Sequence, residues 1–429
     1  MDQLKLLNFH KMLANFANNL VGAFVALIVY QATGKLIYGI AYLTAVYAFR
    51  LVYIYALRKL YGKYPQLFLM LRIIPITLYN LFIFVLDYNL IIGVIGVCLF
   101  NSLDTALNNL SKEIIFNYAS LTNKTEKDSS IGVTRLFEQG GIIIAILLGG
   151  FLLDVNKTLV LVLSLSIYSI SVIPLIMFYI KCRHQKTFNK DATSNAITTF
   201  KKDEELKKES QKITKKLLFT YFIVYFSFAF VDLMTNSYGL YVFSKMGEFS
   251  TAGILNAIYH LCYALGFYIA NVINNKKDTT KLVTIFSFII GICVIALPFV
   301  PLDRMFIVVC LIYGIIAFSS TFLSLFVLDR MLLKSRIMAC SNRALFVRES
   351  SCNWAYVFGN SFGLIGIIVT FIVIGIMMCA SGIVIPIAEE KTRQHLVDYL
   401  QNNEKMNNHS TPSKSRAKRI ASANKIEKT

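Results

Sequence analysis

The chain has 429 residues, 56% of them apolar and 16% charged, with a mean hydropathy of +0.59 and a formal net charge of +19. Such a composition excludes an intrinsically disordered chain and argues against a soluble enzyme of this length. The excess of Lys and Arg does not point to nucleic acid, because it sits in short loops and a tail flanking apolar stretches, where membrane topology explains it.

A helix needs roughly 20 mostly apolar residues to cross about 30 Å of hydrocarbon. Apolar runs of that kind, read against breakers, predict helices over 12–33, 36–57, 65–86, 88–117, 131–153 and 158–180. A second set is predicted over 217–243, 249–273, 280–300, 304–328, 340–358 and 361–387. Runs such as Gly141 to Leu153 and Leu364 to Ala380 lack the period-two alternation of a membrane barrel strand, so helices are the spanning element. The run from Leu13 to Tyr30 is followed by Gln31, Thr33 and a further span, so it reads as a retained first helix rather than a cleaved leader. Between the sets lies a polar basic linker over 181–216, and after the last helix a basic, disordered tail over 388–429.

Basic residues gather at alternate connections: Lys5 and Lys11, then Arg58, Lys59 and Lys63, then Lys124 and Lys127, and then the linker. The bias continues through Lys276, Lys277 and Lys281, through Arg330, Lys334 and Arg336, and into the tail. By the positive-inside rule these ends are cytoplasmic, which puts both termini inside and requires an even number of helices. A cell membrane, plasma or bacterial inner, is the expected location. The eight cysteines are scattered with no metal-ligand spacing, so neither a metal nor a cofactor is expected.

Sliding the second set back by 213 positions places Gly34 on Gly247, Leu20 on Leu233, Leu27 on Leu240, Val29 on Val242 and Asn19 on Asp232; a shift of 211 places Glu138 on Glu349. An all-helical chain of about twelve spans in two six-helix pseudo-repeats, 1–180 and 217–387, with a long linker between them, resembles the major facilitator superfamily of secondary transporters. Two local signatures carry the resemblance further. The loop Leu57-Arg58-Lys59-Leu60-Tyr61-Gly62-Lys63 keeps the glycine and basic residues of that family's loop between the second and third helices and lacks its aspartate. The fifth span resembles the glycine pattern of the family's drug:proton antiporters at Gly132, Gly141, Gly149 and Gly150, with Ala145-Ile146 where those proteins have Gly-Pro. Small residues at such steps also serve simply to bring two helices close. The resemblance implies a substrate site near the bilayer midplane, between halves that rock around it.

Ionisable side chains within spans are costly and call for partners or function. Arg50, Arg72, Asp104, Arg135, Glu138, Asp232, His260, Arg348 and Glu349 are of this kind. Asp104 and Asp232 lie deepest and, on the resemblance, fall on cavity-lining helices. They are the leading candidates for proton coupling, since a carboxylate in a low-dielectric cavity takes up or releases a proton as its hydration changes. The structural alternative pairs Asp104 with Arg50 or Arg135, and Asp232 with Asn15 or Asn19, as fixed struts. Asn15, Asn18 and Asn19 share one helix face, with Tyr47 and Tyr259 expected nearby, and together with Arg50 and His260 they are candidate ligands for a polar solute. Arg135, Glu138, Arg348 and Glu349 are expected near the cytoplasmic side, either snorkelling or closing it as inter-helix locks, Glu138 or Asp104 reaching Arg348.

The expected function is secondary active transport of a small organic solute by alternating access, coupled to protons through Asp104 or Asp232, by a monomer in the lipid bilayer. A transporter-like flippase or sensor on the same scaffold is the alternative. An intramembrane transferase is disfavoured: Asn101-Ser102-Leu103-Asp104 with Asn108 supplies one carboxylate where a metal-diphosphate site needs several.

Overall fold

In the computed structural model, residues 3–61, 63–122, 129–183, 204–274, 280–324 and 340–408 are described. The first six segments are α1 (Gln3–Val21) continued by α2 (Val25–Thr33), α3 (Leu36–Tyr61), α4 (Pro65–Leu71) continued by α5 (Ile73–Val85), α6 (Leu90–Thr122), α7 (Ser129–Val155) and α8 (Lys157–Arg183). The second six are α9 (Glu204–Phe228) continued by α10 (Phe230–Met246), α11 (Phe249–Asn274), α12 (Thr280–Ala296), α13 (Leu302–Leu323), α14 (Ser341–Gly363) and α15 (Ile367–Asn408). Ten of these segments are long and apolar enough to cross a membrane. The other two, α7 and α14, are the more polar or shorter apolar ones, and both pack against helices of the opposite set. Large apolar side chains such as Ile92, Ile170, Ile292 and Ile307 point outward, as a hydrocarbon-facing surface requires.

The breaks have local causes. Pro75 has no N–H to offer and its ring crowds the preceding turn, and the helix is interrupted at Arg72, between α4 and α5. A 3-10 turn over Gly22–Phe24 separates α1 from α2. α2 and α10 both end on a left-handed glycine, Gly34 (φ 69°) and Gly247 (φ 77°), whose N–H closes onto the carbonyl of Tyr30 or Phe243 at 2.8 Å. Only glycine adopts that backbone without strain, and the two caps stand 213 positions apart, the spacing of the sequence repeat.

Packing repeats as well. In the first set α1 packs on α7 and α8, and α6 on α3 and α5; in the second set α9 packs on α14 and α15, and α13 on α11 and α12. Even the polar ties recur: Ser102 donates to the Val46 carbonyl and Ser164 to that of Ala17, while Thr321 donates to the Tyr263 carbonyl and Ser381 to that of Ser227. A hydroxyl bonded to a neighbouring helix's spare lone pair joins two helices without leaving a polar group in hydrocarbon. The sets meet along α7 with α11 and along α3 with α14.

Helix extends into both the expected linker and the tail expected to be disordered. α9 begins at Glu204, within the expected linker, and α15 continues to Asn408, within the expected tail. Ala388, Thr392 and Leu396 recur at four-residue steps and are buried, and Ala388 and Leu396 share an apolar core with Ile213 and Leu217 of α9. High charge hid this stripe, and a tertiary partner stabilises it.

Candidate functional site

Between the sets lies a cavity of about 390 Å³. Much of its wall is set by the spacing of polar residues on two helices. Asn15, Asn18 and Asn19 fall on one face of α1, and Asn101, Asp104, Thr105 and Asn108 on one face of α6, with Asn109 beside them. Tyr42, Tyr47 and Arg50 come from α3 and Tyr79 from α5, while the second set contributes Thr235 and Gly239 of α10 and Asn256, Tyr259 and His260 of α11.

Asp104 is held in a bidentate ion pair with Arg72: Nε donates to Oδ1 at 2.8 Å and Nη2 to Oδ2 at 3.1 Å, while Nη1 donates to Asn108 Oδ1 at 2.8 Å. The guanidinium also lies 5.3 Å from the centre of the Tyr168 ring and is 1% exposed. Arg72 takes the place of the expected Arg50, and its burial leaves it no route to snorkel; the side chain of Arg135, the other expected partner, lies outside the described residues. Its fork matches both carboxylate oxygens, which is the geometry that makes a buried pair tolerable in low dielectric. Nor is Asp104 free to reach Arg348 as an inter-helix lock.

Asp232 has a different setting. It is solvent-accessible, and the Tyr356 hydroxyl donates to its Oδ2 at 3.1 Å, in place of the expected Asn15 or Asn19. Arg348, Glu349 and Tyr259 are its charged and phenolic neighbours. Tyr356 packs on Tyr47 with ring centres 4.5 Å apart, and the Arg50 guanidinium lies 4.7 Å from the Tyr47 ring centre. A continuous relay Asp232–Tyr356–Tyr47–Arg50 thus crosses from the second set to the first. The Arg50 Nε is buried without a hydrogen-bond partner.

Other candidates are placed as follows. Asn19 donates to the Asn15 carbonyl within α1, and Lys112 donates to Asn15 Oδ1 at 3.3 Å. His260 Nδ1 is 2.9 Å from Gln139 Oε1, a bond between α11 and α7 that joins the sets. Glu349 is buried and accepts from Asn109 Nδ2 at 3.4 Å, again across the sets; Arg348 is half-buried. Gly132, Arg135 and Glu138 lie on α7, with side-chain surroundings outside the described residues, and Gly62 of the basic loop itself lies outside them. Gly141 is loosely packed against Met12. A side chain at Gly149 would run into the Leu20 carbonyl, and one at Gly150 would stand 2.9 Å from the Phe249 carbonyl. The glycines therefore bring α7 against α1 and, between the sets, against α11.

At the end of the bundle away from residues 3 and 408 the sets are clasped. Asp154, at the close of α7, accepts the N–H groups of Phe249 and Ser250 with both carboxylate oxygens, each at 2.9 Å, and so caps α11 from the opposite set. Phe24 and Tyr30 of the first set meet Phe249 and Phe243 of the second edge-on, at 6.1 and 5.9 Å. At the end bearing the described termini, Tyr55 bonds Ser350 at 2.6 Å and Arg58 stands 4.5 Å from the Phe346 ring centre.

A model of the Major Facilitator Superfamily matches residues 114–336, just over half of the chain. The chain belongs to the Major Facilitator Superfamily. Two solved structures of superfamily type share its fold: the nucleoside transporter NupG, at 15% identity and TM-score 0.57 over 90% of this chain and 99% of that one, and a bacterial homologue of the iron transporter ferroportin in an outward-facing state, at 11% and 0.61 over 94% and 100%. A comparison with curated proteins finds no match. Membership of this superfamily supports a role in membrane transport.

Sequence reasoning missed Gln139, Asn256, Tyr356 and the clasp at Asp154. It met Asn101 and Asn108 only as part of a weak metal motif. The signal available for the last two was their seven-residue spacing with Asp104 between, a polar stripe down an otherwise apolar helix.

Proposed function

We propose that this protein is a secondary active transporter that moves a small organic solute by alternating access through the central cavity. The observation that carries the reading is a polar cavity walled by both six-helix sets and shut at one end by the Asp154 clasp and the phenylalanine contacts. The bodies that rock are 1–180 and 217–387, joined by 181–216, in a monomer. The lysine and arginine bias supports both termini, and hence the end bearing Arg58, on the cytoplasmic side of a cell membrane.

The amide and phenol wall supports an organic solute, as for the nucleoside transporter. Proton coupling falls to Asp232 rather than Asp104. Asp104 has both oxygens satisfied by a fixed guanidinium, whereas Asp232 has one phenolic bond and an accessible face. When the cavity closes around such a carboxylate its water is lost, and taking up a proton offsets that cost.

Cross-linking tests the rocking motion. In a cysteine-free background, Tyr30→Cys and Phe243→Cys place thiols on opposite sets at the clasped end. A short bifunctional reagent should stop solute exchange by reconstituted protein, and reductive cleavage of a disulfide-containing linker should restore it. Exchange that continues in fully cross-linked protein would rule out alternating access at this seam.

A further inference from the structure

Arg50 and Asp104 are the permanently charged side chains in the described lining of the cavity, and the fold treats them differently. Asp104 is fully paired, since both of its oxygens accept from Arg72. Arg50 is not. Among the described residues no carboxylate pairs with it, and its Nε is buried without a hydrogen-bond partner. The remaining carboxylates of the neighbourhood are engaged elsewhere: Asp232 accepts from Tyr356 and has Arg348 as its cationic neighbour, and Glu349 accepts from Asn109.

Snorkelling does not explain Arg50. An arginine that snorkels aims its head at the nearer membrane surface. Arg50 turns the other way: its guanidinium lies 4.7 Å from the centre of the Tyr47 ring, one turn back along α3 and further from the end bearing Arg58. A ring face holds a cation in place but offers its N–H groups no oxygen. A cation in a low-dielectric cavity without a counter-charge is costly, and a buried donor without a partner is rare, so both call for a group supplied from outside the chain. A carboxylate or phosphate answers both needs, because its oxygens match the guanidinium fork and carry the missing charge. The rest of the lining suits the remainder of such a molecule. Asn108 gives its carbonyl to Arg72 and keeps its NH₂ for the cavity, and Tyr42 accepts from Asn101 and keeps its O–H to donate.

We infer that the central cavity binds a small organic anion, seated through a carboxylate or phosphate group on Arg50. This names the solute class for the transport reading above and rests on it for what becomes of the bound anion. A volume near 390 Å³ lies at the small end of ligand cavities and limits the anion's size.

Thermal unfolding of the purified full chain in detergent, at constant ionic strength, tests this with sets matched in shape and differing in charge: glucuronate, glucose 6-phosphate, glucose and glucosamine; nicotinate and nicotinamide; uridine monophosphate and uridine. At least one anion should raise the unfolding temperature, and its neutral or cationic counterparts should need about tenfold more concentration or higher for the same shift. Carboxylate and phosphate members of a set separate the two headgroups. Arg50→Gln should abolish the preference for the anion while leaving the ligand-free unfolding temperature unchanged or raised, because no ion pair is lost; Arg50→Lys should keep the preference at reduced affinity. Equal stabilisation by a neutral or cationic member, no stabilisation by any anion, a preference that survives Arg50→Gln, or a lowered ligand-free unfolding temperature in that variant overturns the inference. Counterflow in liposomes separates this from the transport reading. A neutral solute that is carried with no anion preference leaves transport standing and removes the inference; an anion that binds through Arg50 without being carried does the reverse.

Discussion

The two six-helix sets repeat each other in packing, yet the walls they give the cavity differ in kind. The first wall is a hydrogen-bonding surface set rigidly on a buried ion pair: Arg72 anchors Asp104 and Asn108 together, and Tyr42 and Asn101 lock onto each other. The second wall is sparser. Thr235, Asn256, Tyr259 and His260 line it, and Asp232, one turn before Thr235 and beside Tyr259, stands next to that lining with an accessible carboxylate and a phenolic partner. The contrast suggests a division of labour in which the first set reads the solute and the second responds to ionisation. It also shows why an ionisable residue inside a span is not by that fact functional: the same residue type is a strut in α6 and a titratable candidate in α10.

The contrast breaks most sharply at the ion pair. Asp104→Leu should destabilise the protein by about 3–5 kcal/mol, because it leaves Arg72 charged and buried without a counter-ion. Arg72→Met/Asp104→Leu should recover most of that loss, as measured by chemical or thermal unfolding in lipid-like detergent. A double variant no more stable than the single would mean that Asp104 does more than hold Arg72.

Next in size are the α7 glycines, which separate packing within a set from packing between sets. Gly149→Val drives a side chain into the Leu20 carbonyl and should cost about 1–3 kcal/mol of stability. Gly150→Val meets the Phe249 carbonyl instead, at a seam that must part during transport. It should leave the unfolding temperature nearly unchanged and raise the labelling of an Ala26→Cys reporter in the cavity from the clasped end. Equal loss of stability in both would deny that the seam is meant to open.

A smaller effect belongs to Asp154. Removing a helix cap costs ~1 kcal/mol, so Asp154→Ala should shift the closed-to-open balance at that end about fivefold, read as faster labelling of the same Ala26→Cys reporter. Unchanged labelling would make the clasp incidental.

Much of this could be read from the chain. Twelve segments, their breakers and the two intramembrane aspartates were visible because lipid leaves few other readings of long apolar runs and of charges within them. Partners were not. Asp104 selects Arg72 from a different helix, and no spacing rule connects positions 72 and 104, so a tertiary pair stayed hidden. Asn256 and Gln139 gave no local signal, since single amides in apolar helices also serve as interhelical glue. The helical extension to Asn408 was obscured for the opposite reason: its composition reads as a solvated tail, and only the core formed with Ile213 and Leu217 makes it a helix.

The central claim is that Asp232 couples protons and Asp104 does not. Proteoliposomes with an imposed pH gradient, loaded with a solute that the protein exchanges in counterflow, test it most directly. Asp232→Asn should retain counterflow exchange and lose gradient-driven accumulation, while Arg72→Met/Asp104→Leu, scaled to the amount of folded protein, should keep both. Accumulation undiminished in Asp232→Asn, or abolished in the double variant alone, would contradict the account.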